Sequence, residues 1–285
     1  MKQFFKSFGK GICYVGVFLG TQVLVTNVIV MYYSFIMGIE LAQNATDINV
    51  AEIEATLMEK IMGATPLIAF ISGIIAVVFA CILFKVRHKN VKVEMNLQPI
   101  GWKTIPLLCV MGISLNFLIS YVMIILPIPE SVMESYELQS SALTEISLLV
   151  FLATVLVAPI AEEVFCRGLM LSRFQKGMPI TVAIIAQAII FGLLHGHPLW
   201  IAYTTLVGVV FGVIAYKQRS IIGTIIMHAV FNFTAFMMTV MQLEGDNIVI
   251  NMVVIVISGV VTIALGIVLL KYSYTPRRIE TIVEE

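Results

Sequence analysis

Charge is what this sequence is poorest in: 12% of its residues are Asp, Glu, Lys or Arg, against about 25% in a soluble domain. The 17 basic residues balance 17 acidic ones, so no net field draws the chain to nucleic acid. Cysteine is scarce too. Cys13, Cys81, Cys109 and Cys166 stand far apart in apolar runs with no CxxC pair, which excludes a disulfide framework and zinc-finger spacing. Internal repeats, low-complexity segments and any stretch like a second, soluble domain are also lacking.

In their place stands hydrophobicity. Of 285 residues, 60% are hydrophobic, and mean hydropathy is +1.02. A run of about 20 apolar residues spans a bilayer, and eight such runs are read, at roughly 11–39, 62–84, 104–126, 146–171, 180–197, 199–216, 221–241 and 248–270. The sequence therefore predicts an all-α polytopic membrane protein with about eight transmembrane helices. The first run follows Lys2, Lys6 and Lys10 but is too long for a signal-peptide core and lacks a small-residue cleavage site, so it is expected to be retained. The narrowest separation is between runs five and six, only Gly196-His197-Pro198.

The few charges orient the chain. The N-terminal lysines, the loop 85–103, Arg173 and Lys176, Lys217 and Arg219, and the segment after run eight hold 15 of the 17 basic residues. All fall on one face of an eight-span path, while the opposite loops are acidic apart from Lys60. By the positive-inside rule both termini are cytoplasmic. The basic loop 85–103 is expected to lie against anionic headgroups around Val91–Met95, and the acidic loop 40–60 to form a short outer helix. In run one, Gln22, Thr26 and Asn27 are expected to hydrogen-bond between helices.

Against this background the stretch Ala161-Glu-Glu-Val-Phe-Cys-Arg-Gly168 stands out. It lies inside run four, where a charge costs roughly 2.5–3.5 kcal/mol at the helix centre. Glu163 and Arg167 are four apart and share a helix face, so they can pair; a buried ion pair that only fixes packing explains them equally well. Glu162 points about 100° away from Glu163, and its own four-on neighbour is Cys166. It needs a partner from another helix. Run five ends in His195 and His197. Folding runs four and five antiparallel about Lys176–Pro179 sets Glu162 opposite Leu193, within a helical turn of His195; His197 lies nearer the loop. In run seven His228 and Asn232 are again four apart on one face. An interhelical hydrogen bond, worth about 0.6 kcal/mol on average, would explain that pair alone, but beside Glu162 and His195 a joint site is the better explanation.

Together Glu162, His195, His228 and Asn232 supply a general base and a polariser for water, with a histidine and an amide as donors for an oxyanion. That set suits hydrolysis of an acyl bond. Glu162, His195 and His228 could instead hold Zn²⁺, but no HExxH is present, and a metal-free site is favoured. Cys166, whose helical neighbours are acidic, is a poor nucleophile.

The motifs EExxxR (Glu162, Glu163, Arg167), FxxxH (Phe191, His195) and HxxxN (His228, Asn232), in this order on separate runs, resemble the CPBP family. These are the CAAX-protease and bacteriocin-processing, or Abi, proteins, related to the Ras-converting-enzyme type of CAAX prenyl endopeptidase. The resemblance covers about 140–270. It implies N-terminal membrane helices over 1–140, an intramembrane protease core over 141–270, and a cytoplasmic tail over 271–285. It further implies that Glu162 and His195 activate water and that His228 and Asn232 hold the oxyanion; Glu163 and Arg167, paired on one helix face, are expected to support them. The family is described both as metalloprotease and as glutamate-dependent. Its substrates include prenylated CAAX proteins and bacteriocin precursors, so a membrane-embedded or lipidated peptide or protein is expected here, within the lipid bilayer of the cell membrane. A non-catalytic alternative is a bacteriocin self-immunity factor or scaffold that grips a membrane partner. A proton-coupled transporter would also bury Glu and His, but it predicts inverted repeats, and none is found.

Reporter fusions test the predicted path. Of positions Asn44, Gln98, Glu137 and Asp246, only Gln98 should report from the cytoplasm; an external Gln98 would overturn the topology.

Overall fold

A computed structural model of the chain describes residues 1–43, 50–243, 245 and 247–271. The reporter positions Asn44 and Asp246, the acidic Asp47 and Glu244, and the tail 272–285 with Arg277 and Arg278 lie outside these residues. Every regular element among the described residues is helical. In chain order they are α1 (Lys2–Gln43), α2 (Val50–Gly63), α3 (Thr65–Val86), α4 (Val91–Glu94), α5 (Thr104–Ile125) and α6 (Glu130–Thr144). Then follow α7 (Leu148–Phe174), α8 (Ile180–Leu193), α9 (Pro198–Gln218), α10 (Ile222–Val240) and α11 (Ile248–Lys271).

Among the described residues seven helices are long and apolar enough to cross a membrane: α1, α3, α5, α7, α9, α10 and α11. The chain is an all-α polytopic membrane protein. Run five accounts for the difference from the eight expected. Only Ile180–Leu193 is helical there, 14 residues, or about 21 Å at 1.5 Å per residue, short of the ~30 Å of a hydrocarbon core. The cause is local. Gly196 takes φ 76°, open to glycine without strain. His197 then caps α9, its Nδ1 accepting from the Leu199 N–H at 3.2 Å, and Pro198 opens the first turn. A helix is present in the acidic loop as expected, α2, whereas α6 was not foreseen. Asn27 departs from expectation by donating to its own helix, at Val23 O, 2.7 Å away.

α7 is the hub. One core cluster joins it to α1 and α3 through Phe18, Ala76, Phe84, Phe165 and Leu169. A second joins it to α8 through Cys166, Met170, Ala183 and Phe191. A third, of Leu108, Met111, Phe211 and Met227, ties α5, α9 and α10 together beside it. Lipid tails are as apolar as these side chains, so close van der Waals packing rather than water exclusion favours the assembly. All eight residues of Val164–Leu171 are buried.

Two stretches of α7, Leu152–Val157 and Val164–Leu171, are wound as π-helix around an α-helical centre at Ala158–Glu163. Pro159 is the evident reason for the first: it has no N–H and its ring crowds the carbonyl one turn back. A widened turn accommodates it, and such turns recur at functional sites.

The basic loop after α3 is anchored to the helices as well: Met95 is buried at 1% exposure and the Ile221 N–H donates to Asn96 O at 3.0 Å. The segment is tucked under α7 and the start of α10. Gly168 makes room for it: a Cβ there would stand 2.6 Å from Met95 O. Gly168→Ala should therefore lower stability by about 1–3 kcal/mol, the usual range for overpacking, read as a lower melting temperature in detergent. An unchanged melting temperature would rule out this close approach.

Candidate functional site

The centre of the site is a carboxylate that nothing reaches from solvent. Glu163 and Arg167 pair as expected, Arg167 Nη1 donating to Glu163 Oε1 at 2.8 Å, with both side chains 0% exposed. The guanidinium is held on further sides. Nη2 points at Gly208 O on α9, 3.5 Å away, and the Phe191 and Phe211 rings lie 4.0 and 5.4 Å from its central carbon. Cation–π contact of this kind strengthens where water is excluded.

His228 comes in from α10. Its Nδ1 is 3.1 Å from the same Glu163 Oε1, and since an ionised carboxylate only accepts, Nδ1 is the protonated nitrogen. Its Nε2 faces Glu162 Oε2 at 3.8 Å, close enough for charge attraction but beyond hydrogen-bond length. His228 thus stands between the two adjacent glutamates. Glu163 is engaged by both Arg167 and His228. Glu162, with a side chain 20% exposed, makes no hydrogen bond among the described residues, and is the carboxylate left open to a ligand.

His195 lies just past the end of α8. Its Nδ1 is 2.9 Å from Phe191 O, and because a carbonyl cannot donate, Nδ1 carries the proton and Nε2 the free lone pair. The ring meets Phe191 edge-on at 4.9 Å. Phe191 also lies 6.3 Å from the His228 ring. It is the apolar wedge that joins all three motif segments.

Asn232 makes the interhelical hydrogen bond weighed for it in the sequence, to an acceptor the sequence did not indicate. Its Nδ2 donates to Thr154 O, 2.8 Å away on α7. In π winding each carbonyl accepts from the fifth residue on, as Ala153 O does from Ala158 N–H. For Thr154 that residue is Pro159, which has no N–H. The carbonyl would be left bare inside the membrane, at a cost of several kcal/mol, and Asn232 satisfies it. The signal was present as Thr154-x₄-Pro159, but it is readable only once the winding is known. One of the two Asn232 N–H groups remains for another acceptor.

His197 is accounted for by architecture: it caps α9, and its Nε2 lies 3.0 Å from Ser135 Oγ on α6. Cys166 is fully buried. Among the described residues no group of three or more His, Cys, Asp or Glu side chains is placed to hold a metal ion. Glu162, His195 and His228 as they stand do not converge as ligands, so no step below runs through a metal.

The fold and this buried glutamate–histidine–arginine cluster define a multi-pass membrane protein with an intramembrane polar site. Residues 144–234, which contain every motif residue named above, match the family model described as type II CAAX prenyl endopeptidase Rce1-like. The resemblance to the CPBP/CAAX proteases thus holds over that segment, and it supports a protease of the CAAX type in general. No curated protein and no solved structure matches the chain.

Arg167→Lys keeps the charge but cannot reach Glu163 and Gly208 at once or stack on Phe191. It should lower melting temperature and folded yield as well as any activity. Wild-type stability with a purely kinetic defect would move Arg167 from support into contact with substrate.

Proposed function

We propose that the protein is an intramembrane endopeptidase that hydrolyses a peptide bond of a membrane-embedded or lipidated substrate with water activated by Glu162 and His195. The observation that carries this reading is the inequality of the two glutamates. Glu163 is sealed from solvent and held at Oε1 by both Arg167 and His228, while Glu162 is partly open beside His228 Nε2. A carboxylate without a hydrogen-bond partner is free to accept a proton from water.

In the proposed reaction, water adds to the scissile carbonyl carbon as Glu162 takes one of its protons. His195 Nε2, an acceptor while Nδ1 is bound to Phe191 O, holds and orients that water. The oxyanion is met by the free N–H of Asn232 and by His228 as an imidazolium, which keeps its Nδ1–H on Glu163 and offers a second N–H at Nε2. The tetrahedral intermediate then collapses: the C–N bond breaks, and the proton held by Glu162 passes to the leaving amine. The products are a carboxylic acid and an amine, with no metal or other cofactor called upon. The protease core is assigned to 141–270, and both termini to the cytoplasmic side of the cell membrane, with the short apolar α8 completing an eighth crossing beside the seven longer helices.

Glu162→Gln keeps the shape of the side chain but cannot accept the proton, and loss of a general base costs about 10²–10⁴-fold in rate. Turnover per folded molecule should nearly vanish with stability intact. Glu163→Gln leaves Arg167 without its counter-charge. It should lower the melting temperature while its folded fraction still turns over. The measurement is cleavage of a lipidated and unlipidated peptide pool by protein in liposomes, read by mass spectrometry with and without chelator. Normal cleavage by Glu162→Gln, with a folded but dead Glu163→Gln, would reverse the assignment. Cleavage abolished by chelator and restored by zinc would replace it with a metal site. Substrate retained but never cut would favour the self-immunity or scaffold reading.

A further inference from the structure

Away from the site, a recess of about 810 Å³ opens where the first turns of α1 meet the end of α3 and the end of α7. Lys2, Lys6 and Lys10 recur every four residues and so share one face of α1, and all three line it. Arg87 and Lys89 line it from the chain after α3, and Arg173 and Lys176 from the end of α7. Seven cations thus face one carboxylate, Glu94. That carboxylate is already taken by Arg173 and by Lys89, the latter at 3.1 Å. Burial alone would raise its proton affinity, but the hydrogen bonds from Arg173 and Lys89 hold its pKa below the ordinary carboxylate range. Among the described residues the other five cations have no carboxylate partner. Burial, with Arg173 beside it, pushes Lys176 below its usual range, as expected where like charges crowd a recess.

The recess is also ordered by depth. Its cations stand near helix termini, whereas Cys13 and Val17 lie beyond Lys10 along α1, and Leu83 and Phe84 lie on the membrane side of Arg87 on α3. Basic groups ring the mouth and apolar walls continue towards the bilayer. A free phosphate would use only the first, whereas an amphiphile uses both.

We propose that this recess binds an anionic phospholipid, its phosphate-bearing headgroup held by Lys6, Lys10, Arg87 and Lys176 and its acyl chain laid along Val17 and Leu83. The bound lipid bridges α1 to the end of α7, the helix that carries both glutamates. It works independently of how that site acts.

Binding is read by native mass spectrometry of the detergent-purified full chain, titrated with phosphatidylglycerol, with phosphatidylcholine of the same chains, or with inorganic phosphate. The recess variant is Lys6→Gln/Lys10→Gln/Lys176→Gln. The control, Lys85→Gln/Lys92→Gln/Lys103→Gln, removes the same charge from exposed positions outside the recess. Melting temperatures without lipid establish that both remain folded. Each cation near an anionic headgroup contributes roughly a factor of five. Phosphatidylglycerol should therefore bind at least about tenfold tighter than phosphatidylcholine, and the recess variant should lose at least about tenfold of that affinity. The control should keep it within about twofold. Equal losses in both variants would reduce the recess to diffuse surface attraction. Equal binding of the two lipids, or phosphate binding as tightly as phosphatidylglycerol, would equally overturn the proposal.

Discussion

A charged pair sealed inside a membrane helix is the constraint on which the rest of this structure depends. Taking Glu163 and Arg167 out of water costs several kcal/mol per ion even after relaxation, and the pair repays it only if its remaining donors and acceptors are met. The surroundings do so in part, leaving Glu163 Oε2 and Arg167 Nε without a protein partner among the described residues. His228 adds a second donor to Glu163, Gly208 O faces Arg167 from α9, and Phe191 and Phe211 present their rings to the guanidinium. Helices α7, α8, α9 and α10 are in this way held by one charge. Removing a single partner strands the other, a loss of about 3–5 kcal/mol in comparable buried pairs.

The same pair decides which glutamate is free. Because Glu163 is consumed on one side of α7, its neighbour on the chain is turned towards His228 Nε2 without a bond to it. Two adjacent residues of identical chemistry are thus made unequal by geometry alone. The winding of α7 contributes to this inequality. Its π-helical turns on both sides of Ala158–Glu163 alter which residues share a face, and they open a carbonyl, at Thr154, that draws α10 in through Asn232. Asn232 therefore joins two helices whatever else it does. The tucked loop at Met95–Gln98 completes the frame from below, against Gly168 and the start of α10.

Much of this was legible in the sequence, for a physical reason. Inside an apolar run every ionisable group is costly, so Glu162, Glu163, Arg167, His195 and His228 announce themselves without any model of the fold. Helix content follows from run length, and the Glu163–Arg167 pair from a spacing of four within one helix. The short α8 was half visible, since Gly196-His197-Pro198 carries the signals that end one helix and start another. Local chemistry determined these things because the interacting atoms are neighbours along the chain.

What only the tertiary structure decided is the choice of partner between helices. That His228 reaches Glu163 with one nitrogen and faces Glu162 with the other depends on the rotation and depth of α10 against α7, which no spacing within either helix encodes. That Asn232 serves the Thr154 carbonyl depends on a π-turn whose register places Pro159 where a donor is needed. Burial of Met95 under Gly168 depends on a loop folding back over a distance that periodicity cannot see. Composition and spacing fix which groups must find partners in a membrane; the packing of the helices fixes which partners they find, because hydrogen bonds and ion pairs weaken within an ångström and are made or lost by interhelical geometry.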